Sequence, residues 1–126
     1  MTVRVVVADD QAPFRRAARS VLSADSEFEL VGEVSSGEAA VAAARALAPD
    51  LVLLDIKMAG IGGIEAAREI AASVPQTATI LMSTYREEDL PAGASTCGAA
   101  GYLHKSELRA QALRELLATR SRTGRR

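Results

Sequence analysis

The chain has one cysteine, one histidine and no tryptophan among 126 residues. A single cysteine, Cys97, excludes an internal disulfide and any site built from several thiolates. It reads as a small buried apolar residue. A single histidine, His104, excludes a histidine cluster and reads as a packed or solvated ring. Aromatics make up 3% of the sequence, so a core must be assembled from Val, Leu, Ile and Ala. Charge is almost balanced, with 15 basic and 16 acidic residues. That balance removes the broad basic footprint expected if the domain body bound nucleic acid. No apolar run approaches the ~18 residues of a membrane span. The N-terminus also lacks the charged, then apolar, then small-residue pattern of a leader. The expectation is a cytoplasmic protein without membrane contact.

What remains is one domain's worth of alternating apolar segments. Val3 to Ala8 is a short β-branched run suited to a strand buried on both faces. Pro13 fits the first turn of a following helix, where its missing N–H costs nothing. Phe14, Ala17, Ala18, Val21 and Leu22 then recur at helical spacing. Phe28 to Val34 predicts a second strand. Ser35 and Glu38 have capping-box spacing before an Ala-rich helix that Pro49 closes. Leu51 to Leu54 predicts a third strand ending at Asp55, and Gly60, Gly62 and Gly63 make a turn. Ile64, Ala67, Arg68 and Ala71 continue as a helix to Pro75. Thr79 to Met82 predicts a fourth strand ending at Ser83. A poor helical stretch follows, with Pro91 and Gly93 inside it. Ala100 to Leu103 predicts a fifth strand, and Ser106 is a candidate cap for a last helix burying Leu108, Leu113, Leu116 and Leu117. Residues 1–118 form the domain. Residues 119–126, with Arg120, Arg122, Gly124, Arg125 and Arg126, read as a basic tail or linker.

This (βα)₅ pattern implies a parallel sheet covered by helices on both faces. In such sheets, sites form beyond the carboxyl ends of the strands, at a switch in strand order. Asp9 and Asp10 follow the first strand, Asp55 ends the third, Ser83 ends the fourth and Lys105 follows the fifth. Each alone is ordinary: a DD pair is commonly a turn or cap, and a lone lysine is commonly solvated. The joint arrangement at one sheet edge is what points to chemistry. Three carboxylates in one cleft resist ionisation unless a cation compensates them. Mg²⁺, which prefers oxygen ligands, is the natural candidate. Lys105 would hold a phosphoryl oxygen as a point charge, and Ser83 would offer a hydroxyl to another. A carboxylate with room around it would act as nucleophile. Gly60, Gly62 and Gly63 match no phosphate-binding fingerprint.

The segments VVVADDQAPFRRAARSVL, LVLLDIKMAGIGGIEAAREI, ILMST and AAGYLHKSEL resemble the signature segments of bacterial two-component response-regulator receiver domains, over roughly Val3 to Leu117. GYLHK without a following proline is similar to receivers that precede a LuxR-type helix-turn-helix (the NarL/LuxR type). The resemblance implies a flavodoxin-like fold with strand order 2-1-3-4-5. It implies Asp55 as phosphoacceptor and Asp9, Asp10, Asp55 and the Lys57 backbone carbonyl as Mg²⁺ ligands. It further implies Ser83 and Lys105 as phosphoryl contacts, Ser83 and Tyr102 as switch residues, and Lys57 and Tyr85 as residues that tune phosphoryl lifetime. The implied partner is a sensor histidine kinase. An output partner or second copy would dock on the face formed by residues 85–98, the fifth strand and the last helix. Ala59 stands where the family usually has proline, Gly62 where an acid or amide is common, and Ser106 where proline often follows the lysine.

Three other readings have different consequences. A pseudo-receiver would dock constitutively without phosphorylation, and the complete acidic set opposes it. A piece of a DNA-binding transcriptional regulator would use 119–126 as its linker. A flavin-binding domain would need a hydroxyl-rich phosphate loop after the first strand, which this sequence lacks.

Overall fold

The computed structural model describes residues 2–123. Five strands form one parallel sheet: β1 (Val3–Ala8), β2 (Phe28–Val34), β3 (Leu51–Asp55), β4 (Ala78–Ser83) and β5 (Gly101–His104). Their order is β2-β1-β3-β4-β5. Four α-helices cover the sheet: α1 (Ala12–Ser23), α2 (Gly37–Leu47), α3 (Gly62–Ser73) and α4 (Ala110–Thr123). This is the flavodoxin-like α/β architecture expected from the sequence.

The period-2 alternation of each strand divides the core into two layers. Val6, Ala8, Val52, Leu54 and Leu81 face α2 and α3, where they meet Ala40, Val41, Ala44, Ala67 and Ile70. Val5, Val7, Leu51, Leu53, Ile80 and Met82 face α1 and α4, meeting Ala18, Leu22 and Leu113. Every residue of β3 is buried, as a central strand covered on both sides requires. Truncating Leu53 or Leu54 to alanine would cost about 2–5 kcal/mol, the usual penalty for a cavity in a packed core. Alanine-rich helix faces let α2 and α3 lie close to the sheet, which compensates for the scarcity of aromatic residues.

Local details depart from the sequence expectations in four places. The cap of α2 is Ser36, whose Oγ accepts the Ala39 N–H at 3.1 Å. Ser35 does not cap, because the first helical residue is Gly37, and Glu38 then falls in the first turn rather than at the capping-box position. Ser106 does not cap α4. It lies in a 3₁₀ turn, Lys105–Glu107, and α4 begins later, at Ala110. The segment between β4 and β5 contains only the 3₁₀ turn Glu87–Asp89 and no α-helix. Pro91 and Gly93 account for that, since interior proline and glycine disfavour a helix by about 3 and 1 kcal/mol relative to alanine. Lastly, α4 continues to Thr123, beyond residue 119, where the tail was expected to start. Gly124, Arg125 and Arg126 lie outside the described residues. None of the described peptide bonds is cis, Lys105–Ser106 included.

Candidate functional site

The parallel register brings four strand ends, those of β1, β3, β4 and β5, to one edge. Asp9 follows β1, and its N–H donates to the Val34 carbonyl at 3.0 Å, extending the β1–β2 ladder. Its side chain is fully buried. Asp9 Oδ1 accepts the Gln11 N–H at 2.8 Å, and Arg15 Nη1 donates to the Asp9 carbonyl at 2.6 Å. Asp10, next in the chain, is exposed. Asp55 ends β3 and is 4% exposed. The start of α3 comes so close to it that a Cβ on Gly63 would lie 2.3 Å from the Asp55 carbonyl oxygen. Only glycine permits that approach.

Oxygens of Asp9, Asp10 and Asp55 all lie within 4.8 Å of one another. Lys105 Nζ reaches this group, at 2.7 Å from Asp9 Oδ2 and 3.4 Å from Asp55 Oδ2. The Phe14 ring lies beneath the ammonium, its centroid 4.6 Å away. One ammonium against three carboxylates leaves the pocket negative. Burial, followed by the charge of Asp9, pushes the Asp55 carboxyl up to about 6, against the pull of Lys105. Asp9 Oδ2 has no hydrogen bond of acceptable geometry, although the ammonium lies at ion-pair distance. Clustered oxygen donors with surplus negative charge fit a hard divalent cation such as Mg²⁺.

Asp55, Lys57, Ser83, Tyr85 and Lys105, joined by Gln11 and Thr84, line one cavity of about 180 Å³. Ser83 Oγ accepts the Tyr85 N–H at 2.9 Å and contacts Tyr102 Oη at 3.1 Å. Tyr102 has one proton, and its hydroxyl donates to the Tyr85 carbonyl. The Ser83 hydroxyl is therefore the donor to Tyr102, and its only proton is committed there. His104 is half-buried and partnered. Nε2 lies 3.1 Å from the Thr84 carbonyl, and Nδ1 accepts the Ser106 N–H at 3.1 Å. Cys97 is buried, its Sγ 3.4 Å from the Ala94 carbonyl.

The structure thus gathers every residue singled out from the sequence except Tyr102, which adjoins the cavity through Ser83. Sequence reasoning missed Gln11, Thr84, Arg15 and the stacking of Phe14 on Lys105. Gln11 and Thr84 directly follow recognised site residues, and that adjacency was an available signal. Arg15 and Phe14 carried none, since they read as ordinary helix positions.

Fold and site together define a doubly wound α/β protein with an acidic, lysine-closed pocket at its strand-order switch. Within that class, the chain belongs to the response regulator receiver domain family of two-component systems, whose family model matches residues 5–118. It is 43% identical over 103 residues to the response regulator UvrY of Escherichia coli O6:H1, covering 82% of this chain and 47% of that protein. It is 35% identical over 119 residues to the response regulator GacA of Pseudomonas aeruginosa, covering 92% and 56%. The chain spans about half the length of these relatives. Among solved structures, the receiver domain of the response regulator NarL from Mycobacterium tuberculosis superposes with a TM-score of 0.84 at 34% identity, covering 93% of this chain and 94% of that one. Among the described residues, no helix is long and apolar enough to cross a membrane.

Proposed function

We propose that this domain accepts a phosphoryl group from a sensor histidine kinase on Asp55, in a Mg²⁺-dependent reaction, and thereby alters the face it presents to partners. The observation that carries this reading is the confined, charge-strained Asp55 carboxylate facing a small cavity with Lys105 and Ser83 on its walls. Asp9, Asp10, Asp55 and the Lys57 carbonyl would hold the metal. Bound Mg²⁺ would neutralise charge on the carboxylates and on the incoming phosphoryl oxygens. An Asp55 carboxylate oxygen attacks phosphorus, the phosphorus–nitrogen bond of the phosphohistidine breaks, and the histidine nitrogen leaves with its electron pair. Lys105 balances the phosphoryl charge and holds one oxygen. Ser83 gives its hydroxyl to another, which requires release of Tyr102. Lys57 and Tyr85 both border the cavity and would govern water access, and so product lifetime.

Among the relatives, YxjL of Bacillus subtilis, 35% identical over 106 residues, is described as a transcriptional regulatory protein. By that likeness, the whole protein would regulate transcription, with the face near Tyr102 as the contact to an output partner or second copy.

Intact-mass measurement after incubation with acetyl phosphate and Mg²⁺ tests the chemistry. Wild type is expected to gain one phosphoryl group, and Asp55→Asn none. A chelator is expected to stop labelling without unfolding the domain. An equal gain in Asp55→Asn would overturn the assignment. A wild type that never labels would instead indicate a constitutive docking module.

A further inference from the structure

The segment Ile56–Gly62 runs from the candidate phosphoacceptor into the first residue of α3, and its sequence gives it little stiffness. It contains Ala59, Gly60 and Gly62, and both glycines have positive φ, 79° and 80°. At its start, Ile56 N–H donates to the Met82 carbonyl at 2.8 Å. At its end, Gly63 N–H donates to the Ile56 carbonyl at 3.0 Å. Between those points, the first turn of α2 holds it. Gly37 N–H donates to the Ala59 carbonyl at 3.1 Å, and Ser36 and Ala59 form an isolated parallel bridge. Glu38 Oε1 accepts the Ile61 N–H at 3.2 Å. Among the described residues, Glu38 is the only side chain other than that of the adjoining Asp55 that hydrogen-bonds its backbone.

The fit around these contacts is close. A Cβ on Gly37 would lie 2.6 Å from Ile61 Cγ1 and 2.8 Å from the Gly62 carbonyl oxygen. A Cβ on Gly60 would lie 1.8 Å from Glu38 Oε1. The carboxylate therefore occupies the space that a side chain at position 60 would take. Lys57, in the same loop, has only a 3.4 Å contact from its N–H to Asp55 Oδ1.

We infer that Glu38 is a positioning residue for the metal pocket. Its carboxylate pins the Ile61 amide, fixes the middle of the loop against α2, and so restricts where the Lys57 carbonyl can lie relative to Asp55. This deepens the proposed Mg²⁺ reading and rests on it. The reasoning is that of outer partners in metal sites, which orient ligands they do not themselves replace. Glu38 is exposed and lies outside the core, so losing it leaves the fold intact.

The test compares wild type, Glu38→Ala and Glu38→Gln by calorimetric Mg²⁺ titration without phosphodonor, together with amide exchange and melting in chelator. Glutamine keeps an acceptor oxygen at the same reach. The expected result is about tenfold weaker Mg²⁺ binding in Glu38→Ala, the lower end of what such outer partners contribute. Glu38→Gln should restore binding to within about twofold, in keeping with a role carried by the hydrogen bond rather than the charge. In chelator, the Ile61 amide should exchange faster in Glu38→Ala than in the other two, with melting unchanged. Unchanged affinity in Glu38→Ala overturns the inference. Equal weakening in both variants assigns the effect to charge at a distance and also overturns it, as does a loss that follows lowered melting. If wild type binds no Mg²⁺, the metal reading fails, while the exchange of Ile61 still decides whether the clamp exists.

Discussion

Asp55 is costly to ionise where it stands, and that cost has a sign. Its carboxyl titrates near 6 in the folded protein, above its ordinary value of 3.8. A group raised on folding adds stability that is complete below the ordinary value and is lost as pH rises through the folded one. Metal-free protein is therefore expected to become more stable as pH falls from about 7 toward 5. Asp25 and Glu33, lowered by their arginine partners, act in the opposite direction at more acid pH. Asp55→Asn should remove the strain and stabilise the metal-free domain at pH 7.5 by on the order of 2 kcal/mol. Thermal melts in chelator across pH check both; a melting point for Asp55→Asn at or below that of wild type at pH 7.5 would show that burial of the charge is not limiting. Tyr102→Phe should free the Ser83 hydroxyl while costing about 1 kcal/mol for the lost hydrogen bonds. Titration with beryllofluoride and Mg²⁺ should show tighter binding in this variant. The acidic and basic site residues are legible in the sequence because each directly ends or follows an apolar strand, and parallel pairing sends those ends to one edge. Glu38 is not legible in this way. Its partner is a backbone amide 23 positions away, and nearby Ser35 offers a local capping explanation that the true helix start removes.

At the scale of elements, the connection from β4 to β5 differs from the other three strand-to-strand connections in having no α-helix. It has one 3₁₀ turn, and its ordering depends on a few apolar contacts from Leu90, Ala94, Cys97 and Ala99. Elements of low local stability are the ones that switch. Beryllofluoride with Mg²⁺ is expected to slow amide exchange between Tyr85 and Tyr102 more than within α1 or α2. Exchange altered mainly in Phe14–Leu22 would place the response on the opposite layer. The strands are readable from short apolar runs, and α1 to α3 from helical spacing between clear breakers. The β4–β5 connection is readable only as a poor helix, because propensity reports what disfavours a helix but not which turns replace it. The start of α4 is obscured for a related reason. Ser106 has the chemistry of a cap, yet its N–H and Oγ are taken up by His104.

Across the whole molecule, α1 and the ends of the strands are joined at the pocket. Phe14 of α1 meets Lys105, which follows β5, and Arg15 of α1 holds the backbone of Asp9. A cation bound there ties these parts together, and a ligand that binds only the folded state stabilises it by mass action. Melting is accordingly expected to rise with Mg²⁺ concentration in wild type and much less in Asp10→Ala, which lacks one anionic oxygen donor. An equal rise in both would show that Asp10 is not a ligand.

The single proton on Ser83 has a consequence at a distance. It is given either to Tyr102 or to a phosphoryl oxygen, and cannot serve both. A protein surface that captures the Tyr102 phenol therefore frees that hydroxyl for the site. Coupling of this kind is reciprocal: whatever factor beryllofluoride adds to the partner's affinity, the partner must add to that of beryllofluoride. On the proposed reading, a partner docking some residues away from Asp55 would then hold the phosphorylated form longer, and the receiver would report how many partners are present as well as whether a kinase is active.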